Sequence, residues 1–432
     1  MTTAHDGGTP TEPPRPKHPP AWLFGIVGIP YGVGGVFVAS IMPSFADDAH
    51  INIGEIGWFT TLLFVPPMIQ FLYAPIVDIG PKRKHWLVLL SIIGALFFAL
   101  SFSMRLPDHK LGFLVCAFLG QMITGLTGSC NGGLLAMTMP DEKRGSASAW
   151  LNIGNLSGGA LAAWLILYMH DSGVAPLWIA LVFAAMIVTP SLAILTVVED
   201  KREPRKANVV FGDMLSSVKA VLFSKAGITG ILLCLSPVGT AALTNFFAGM
   251  KHSFHGTNDT RQFISGPGSA VFTAVGAWIC GWLCDQYNRR ALYLLSGVMT
   301  AIVGIGLALA PHDDTTYLYG SCVYLFVTGF CYSSFTATVL ETIGNAGKAA
   351  STQYALFVAA GNVAIAYTGF LDTRFGGGTD SQPMAWWPTF QGNVSQIVGS
   401  DGVLNFVGVI VLGLVFWRLG SFGKSKHQPS EA

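Results

Sequence analysis

Long apolar segments alternate with short polar ones along almost the whole chain. A helix of about 20 apolar residues is long enough to cross the hydrocarbon core of a bilayer. Segments of this kind lie at 22–45, 56–77, 86–104, 111–139, 145–169, 176–198, 226–250, 262–284, 291–311, 317–340, 349–371 and 402–418. The pattern predicts an all-α membrane protein with twelve transmembrane helices, and so the lipid bilayer is an expected partner.

The composition agrees with lipid as the surrounding solvent. Hydrophobic residues make up 51% of the 432 positions and charged residues only 11%, whereas soluble domains carry about 25% charged residues. Residues 1–20, rich in proline, threonine and glycine, predict a disordered tail, and 421–432 form a second polar tail. These features exclude a soluble globular protein, and no nucleic-acid partner is expected.

The positions of the basic residues predict the orientation in the membrane. Lys and Arg accumulate on the cytoplasmic side, and 19 of the 24 lie in the tails, in alternate loops, in the linker 199–225 or at the end of the last segment. Both termini are therefore expected in the cytoplasm, in the inner membrane if the source is bacterial. The longest exterior loop would be 372–401.

The two halves of the chain repeat each other at an offset of 207 residues. The matching pairs are Pro30 with Pro237, Gly32 with Gly239, Ala74 with Gly281, Asp78 with Asp285, Lys82 with Arg289, Arg83 with Arg290, Gly154 with Gly361 and Asn155 with Asn362. Matches that share one offset indicate duplication. We therefore predict two pseudo-symmetric six-helix bundles, 21–198 and 226–420, joined by a cytoplasmic linker, 199–225, with an amphipathic helix.

One duplicated motif lies at the cytoplasmic ends of the second and eighth segments. Each copy has a small residue four positions before an aspartate, and a basic pair soon after it. A carboxylate there can accept hydrogen bonds from free N–H groups where a neighbouring helix starts, although ordinary flanking charges are an alternative. We expect Asp78 to lie near 348–352 and Asp285 near 144–148. The candidate gating residues are Asp78, Lys82, Arg83, Asp285, Arg289 and Arg290.

This motif resembles the hallmark loop of the major facilitator superfamily, and the resemblance covers essentially the whole chain. It implies a secondary transporter that works by alternating access. The chain departs from the usual loop at 79–81, where Ile-Gly-Pro stands in place of a basic residue after the acid. Three further stretches are similar to the AmpG-type permeases and the related acetyl-coenzyme A transporters: Gly28-Ile-Pro30, Tyr73-Ala-Pro-Ile-Val-Asp78 followed by Trp86, and Thr352-Gln-Tyr-Ala-Leu356.

Uncharged polar side chains inside the apolar segments are candidates for a substrate cavity. An amide or hydroxyl at mid-membrane needs a hydrogen-bond partner, whether a helix, water or a ligand. For any single one of these residues, a contact between helices is a better explanation than a substrate site. As a set, however, they fall on the segments that line the central cavity in the facilitator fold. The candidates are Tyr31, Gln121, Thr124, Asn131, Asn152, Asn155, Asn245, Tyr332, Gln353 and Asn362.

Charged residues and histidines lie outside the predicted segments or, in the case of Arg418, at the end of one. Intramembrane charges usually mark proton pathways and sites for charged substrates. The sequence therefore favours a neutral, zwitterionic or peripherally charged solute over a strong anion such as acetyl-coenzyme A. Proton coupling would have to use a boundary residue such as Glu341, Asp372 or Glu55.

The resemblance makes a muropeptide the expected small-molecule substrate, with a siderophore-like molecule as the alternative. A non-transporting assembly or sensor protein on the same fold also stays open. The segments hold no set of acids, bases or metal ligands, so an enzyme, a metal site and a cofactor are not expected. All seven cysteines lie in apolar segments, which predicts no disulfides, and a monomer is expected.

Overall fold

The structure is a computed structural model that describes residues 18–51, 53–199, 212, 216, 219, 223–251, 253–343, 350–375 and 394–418. These ranges are almost entirely helical and contain no strand. The predicted tails, most of the linker 199–225 with its amphipathic helix, and the segment 376–393 of the exterior loop lie outside the described residues. The all-α fold class is confirmed.

The helices are numbered in chain order to match the twelve apolar segments. Among the described residues, ten are long and apolar enough to cross a bilayer, or eleven if the two pieces of α2 count as one span. The helices are α1 (Ala21–Ala46), α2 (Trp58–Met68 and Gln70–Asp78), α3 (Arg83–Ser103), α4 (Lys110–Thr138), α5 (Asp141–Asp171), α6 (Pro176–Thr196), α7 (Lys225–Cys234), α8 (Asn258–Gln286), α9 (Arg289–Leu309), α10 (Asp314–Ile343), α11 (Ala350–Phe375) and α12 (Val394–Arg418).

Two helices are interrupted at prolines. The pieces of α2 meet at 48° just after Pro66 and Pro67, since proline lacks the N–H that continues a helix. The sequence predicts an apolar span over 226–250 in which Pro237 either breaks or only kinks the helix, and the structure shows a break. α7 ends at Cys234, and the chain passes Pro237 and then Gly239 at a φ of 63°, a value outside the helical range. Two short turns follow, Ala242–Phe246 and Phe247–Met250.

The last two helices extend beyond their predicted ends. α12 begins at Val394 rather than at 402, and α11 continues to Phe375. Asp401 and Asp372 therefore lie inside helices, and both are fully buried. The prediction that charged residues stay outside the spans is wrong here. The polar first turns of α12 have too little hydropathy for a rule based on apolar runs, but neighbouring helices cover them.

Each bundle has its own aromatic core. In the first, Phe37 of α1 contacts Phe98, Phe113 and Phe183 from three other helices, with ring centroids 4.7–6.1 Å apart. The outer surface carries exposed leucine, isoleucine and tryptophan side chains, as expected of a face in contact with lipid.

Within a bundle, small residues let helices touch backbone to backbone. A Cβ added to Gly154 of α5 would stand 1.7 Å from the carbonyl oxygen of Gly25 in α1. In the second bundle a Cβ on Gly276 of α8 would stand 1.9 Å from the Phe326 oxygen in α10. Close approach of this kind is typical of membrane helices, which gain stability from packing at small residues.

Candidate functional site

A cavity with about 820 Å³ of empty space, part of it open to solvent, lies between the two bundles. Its walls come from α1, α2, α4 and α5 of the first bundle, and from α9, α10, α11 and the interruption after α7 in the second. The sequence-predicted residues that line it are Tyr31, Asn131, Asn152, Asn155, Tyr332 and Asn362. Both bundles thus contribute polar side chains to a single chamber.

The repeat places matching asparagines on opposite walls. Asn155 and Asn362 are related by the 207-residue offset, and both line the cavity. Asn155 belongs to a π-helical turn, Ile153–Ser157, inside α5, and such wide turns often occur at functional sites. The Asn362 side chain donates to the Pro67 carbonyl of α2 at 3.3 Å, and this bond joins the two bundles.

Two cavity amides have an NH₂ group that donates hydrogen bonds and an oxygen that finds no partner among the described residues. Gln70 donates from Nε2 to the Gly125 carbonyl at 2.7 Å and to Ser129 Oγ at 2.5 Å. Asn131 donates from Nδ2 to the Phe24 carbonyl at 3.1 Å. Because a carbonyl only accepts, these bonds orient the amides. The oxygens Gln70 Oε1 and Asn131 Oδ1 are buried and find no partner among the described residues. A buried acceptor without a partner is costly, so a bound donor would satisfy both.

The rest of the lining is aromatic or hydroxylic. Tyr31, Tyr293, Tyr332 and Tyr354 present phenol rings to the chamber, and Tyr293 donates to the Val238 carbonyl at 2.5 Å. The described lining residues include no Lys, Arg, His, Asp or Glu. The chamber can therefore stack against flat or apolar surfaces and form neutral hydrogen bonds, but it has no charge to pair with an ion.

Three of the predicted cavity residues fall elsewhere, and a fourth has an undescribed side chain. Gln121 and Thr124 face Gly34 of α1 inside the first bundle, where Thr124 Oγ1 donates to the Gly120 carbonyl at 2.8 Å. Gln353 is half-buried outside the chamber, and the Asn245 side chain lies outside the described part of the structure. Spacing along the sequence could not separate these residues from true lining residues, because all of them lie on helices that approach the cavity.

Sequence reasoning also missed several lining residues. Gln70 and Thr336, which belong to the same set of polar residues inside the apolar segments, also line the chamber. Tyr354 lines it as well but was not among the predicted residues. Tyr354 lies in the 352–356 stretch that carries part of the family resemblance, so that stretch could have indicated it. Ser236 and Thr240 belong to the interruption after α7, which the hydropathy of the segment did not reveal.

The first copy of the motif connects the bundles at one end of the molecule, which we call the motif face. Asp78 accepts from Arg83 Nη2 at 2.6 Å within the first bundle. It also accepts from Thr352 Oγ1 of α11 at 3.0 Å. Arg83 Nε donates to Ser351 Oγ at 2.6 Å. The expected proximity of Asp78 to the start of α11 is therefore present, and the departure at 79–81 does not remove the Asp78–Arg83 pair.

The second copy makes the corresponding contact with α5. Asp285 accepts from the backbone N–H of Gly145 at 2.7 Å and from that of Ser146 at 3.0 Å. The Ser146 hydroxyl donates to the same carboxylate. These are free amides in the first helical turn, where the positive end of the helix dipole favours a carboxylate. The expected proximity of Asp285 to 144–148 is present as well.

The basic partners of the two copies differ. In the second copy, Arg289 donates to the Asp141 carbonyl across the interface and lies 3.7 Å from Glu341. In the first, Lys82 instead donates to the Glu199 carbonyl at 2.5 Å. The Glu199 carboxylate accepts from the backbone N–H of Arg83 at 3.0 Å. Glu199 thus caps α3, a role that its position in the linker did not indicate.

Side chains between the cavity and the motif face form further hydrogen bonds between the two bundles. Ser148 of α5 donates to the Ser333 carbonyl of α10 at 3.0 Å. Asn152 donates to the Tyr332 carbonyl and to Thr336 Oγ1, both at 3.0 Å. The two bundles are therefore hydrogen-bonded together from the cavity floor to the motif face.

This arrangement has two repeated bundles, a chamber between them and a duplicated acid at helix starts, and the family comparison agrees with it. The family model described as Major Facilitator Superfamily matches residues 23–369. The chain belongs to the Major Facilitator Superfamily. It is accordingly an integral, multi-pass membrane protein of a transporter family.

Solved facilitator structures share the fold over nearly the whole chain. FucP, the E. coli fucose:proton symporter, was solved in the outward conformation and matches with a TM-score of 0.65 and 14% identity, over 91% of this chain and 98% of that one. The human organic anion transporter MFSD10 (TETRAN) gives 0.67 and 14% over 93% and 100%. The proton:xylose symporter XylE, bound to 6-bromo-6-deoxy-D-glucose, gives 0.67 and 14% over 92% and 94%.

At these identities the likeness establishes the fold alone. No curated protein matches this facilitator. The resemblance to AmpG-type permeases therefore stays a prediction from three short stretches.

Proposed function

We propose that this facilitator is a secondary transporter that moves an uncharged or zwitterionic polar organic solute by alternating access. The observation that carries the proposal is the chamber between the bundles, with amides from both halves, two unpartnered acceptors and no charged lining residue among those described. A solute rich in O–H and N–H donors would satisfy Gln70 and Asn131, while the tyrosines would cover its apolar faces.

The resemblance to AmpG-type permeases makes a muropeptide the specific candidate. Its sugar hydroxyls and peptide amides suit the polar lining, but its carboxylates meet no cation among the described lining residues. We therefore propose that a muropeptide would be taken with its carboxylates outside the chamber or neutralised. A siderophore-type solute is the second candidate, since a large neutral chelate also presents amide donors.

The proposed motion is a rocking of the two bundles about the chamber. Asp78 and Asp285 would hold the motif face closed in one state and release the starts of α11 and α5 in the other. The excess of basic residues supports placing this face in the cytoplasm.

Uptake by proteoliposomes that contain the purified protein tests the proposal. The panel would hold a muropeptide, the same compound with amidated carboxyls, a neutral disaccharide and a ferric siderophore, each with and without a proton or sodium gradient. The amidated compound should be taken up faster than its carboxylate form. Absence of uptake for every compound would favour the non-transporting alternative.

A matched pair of variants on α11 tests the chamber. Asn362→Ala removes a lining amide, and the loss of a buried hydrogen bond of about 1–3 kcal/mol corresponds to a decrease in uptake of about 5- to 100-fold. Gln353→Ala removes an amide outside the chamber and should leave uptake within about twofold. Equal effects of the two variants, at equal expression, would contradict the assignment of the chamber as the binding site.

A further inference from the structure

Two carboxyl groups lie buried inside the second bundle, away from the chamber. Asp372 of α11 and Asp401 of α12 are both 0% exposed. Ser400 Oγ donates to the Asp372 backbone carbonyl at 3.2 Å and lies 3.4 Å from Asp372 Oδ1. Because Ser400 is the immediate neighbour of Asp401, these contacts bring the two acids together where α11 and α12 pack.

One of the two carboxyls is incompletely hydrogen-bonded. Asp401 Oδ2 accepts from the Tyr324 hydroxyl of α10 at 2.9 Å, and Asp401 Oδ1 lies 3.4 Å from Asn405 Nδ2. Asp372 Oδ2 is buried and has no hydrogen-bond partner among the described residues. An ionised carboxylate with an unpaired oxygen would be expensive in such a place, whereas a carboxylic acid would not.

The described residues around the pair offer no positive charge. Tyr324 is the ionisable group that faces the pair from α10, and the neighbouring turn of the seventh segment presents Phe247, whose ring lies 5.4 Å from that of Tyr324. α9 packs on α12 at Gly304, and its residues from 294 to 309 are not ionisable. Among the described residues, no Lys, Arg or His forms an ion pair with either acid. Two adjacent carboxylates in a low-dielectric site cannot both ionise without a compensating cation.

A hydrogen-bonded path leads from the pair to the chamber wall. Asn405 Nδ2 donates to the Asp401 backbone carbonyl at 2.9 Å, one helical turn away. Asn405 Oδ1 accepts from the backbone N–H of Gly239 at 2.7 Å. Gly239 lines the chamber in the interruption after α7, where its positive φ marks a backbone that is not fixed by helical hydrogen bonds.

We propose that Asp372 and Asp401 form a proton-binding pair that holds one shared proton and controls the chamber wall through Asn405 and Gly239. Loss of the proton would place a negative charge beside the Asn405 amide N–H, polarise that amide and strengthen its bond to the backbone N–H of Gly239. Proton binding at this site would thus be linked to the shape of the cavity, as a proton-coupled carrier requires. Proton binding itself does not depend on the proposed transport function.

Infrared titration of the full-length protein in lipid nanodiscs tests the pair, with the proton as the probe. An ordinary aspartate is ionised above pH about 4. The wild type should retain a carboxylic-acid C=O band at pH about 7. Asp372→Asn should lose this band, because Asp401 alone keeps its hydrogen-bond donors Tyr324 and Asn405. Asp401→Asn should keep a band at a shifted frequency, because Asp372 stays buried with an unpaired oxygen. The control Asp259→Asn removes an exposed acid of the same bundle and should retain the band.

The two variants also make the outcome independent of folding. Asparagine is close in shape to a protonated aspartate, so both variants should fold, and each changes the band in its own way. A band that is absent from the wild type at that pH, or unchanged in both variants, would overturn the proposal. An unshifted band in Asp401→Asn would contradict the sharing of one proton.

Hydrogen–deuterium exchange of the segment 235–241 tests the link to the chamber. After correction for the intrinsic rate, exchange in the wild type should fall by at least about threefold as the pair loses its proton. Asp372→Asn should remove this pH dependence. Asn405→Ala should keep the infrared band, because the proton site is unchanged. Its hydrogen exchange should nevertheless lose the pH dependence, because the hydrogen bonds that link the pair to Gly239 are removed. Unchanged pH dependence in Asn405→Ala would overturn the path.

Discussion

At the scale of single residues, the polar groups in the membrane divide into those that are satisfied by their own bundle and those that face the chamber. Thr124 bonds within α4, whereas Asn131 keeps its oxygen free. The sequence identified both as polar groups in apolar helices, and no pattern in it distinguished them. Whether a polar residue faces the chamber depends on the rotation of its helix, and packing between distant segments sets that rotation.

The glycines give a residue-scale prediction. Gly154→Ala would drive a Cβ to 1.7 Å from the Gly25 carbonyl oxygen, so α1 and α5 must separate. We expect a loss of stability of at least about 1–3 kcal/mol, seen as a lower Tm and reduced yield of monodisperse protein.

Gly413→Ala is the matched control, because an added Cβ there would meet nothing within 4 Å. Its Tm should be unchanged or slightly higher, since alanine is the better helix former. Equal Tm values for Gly154→Ala and the wild type would show that the close backbone contact is not required.

At the scale of helices, hydropathy predicted most elements well and failed where helices are polar or broken. The start of α12 was missed because its first turns carry the polar residues Ser395, Gln396, Ser400 and Asp401. Such residues can lie in a membrane helix when neighbouring helices shield them from lipid. The seventh segment is apolar throughout, so its hydropathy could not decide whether Pro237 breaks the helix or only kinks it. The motif acids, by contrast, were placed correctly, since the repeat itself carries that information.

The contact between Asp285 and α5 gives an element-scale prediction. Asp285→Asn removes the charge that favours the positive end of α5, an interaction of about 0.3–1 kcal/mol and up to about 2 when partly buried. The population with an open motif face should therefore rise by about two- to thirtyfold. Spin labels at Glu142 and Tyr287, both exposed on this face, should show a larger fraction of long distances.

Asp108→Asn serves as the control, because Asp108 is exposed in the loop between α3 and α4 at the other end of the molecule. It should leave the distance distribution unchanged. A distribution in Asp285→Asn identical to that of the wild type would mean that the acid does not hold the face closed.

At the scale of the whole molecule, the repeat, the basic-residue asymmetry and the apolar segments predicted two bundles around a central site. The fold follows from these features because in lipid few structures can hydrogen-bond all the backbone N–H and C=O groups. The solute does not follow from them, since specificity depends on a few side chains whose directions are set by tertiary packing. The buried pair in the second bundle escaped notice because its two acids are separated by the segment predicted as the longest exterior loop.

The most direct test of alternating access is the labelling of a cysteine in the chamber from each side of the membrane. Asn155→Cys, with the lining residues Cys234 and Cys331 replaced by alanine, would be treated with a membrane-impermeant thiol reagent in intact cells and in inverted vesicles. Asp108→Cys and Glu142→Cys report the exterior and the cytoplasmic side, and only the first should react in intact cells. Adding Asp78→Asn and Asp285→Asn together should lower labelling from the exterior and raise it from the cytoplasm by about three- to thirtyfold. If labelling changed in the same direction from both sides, or did not change from either side, the two bundles would not alternate access about this chamber.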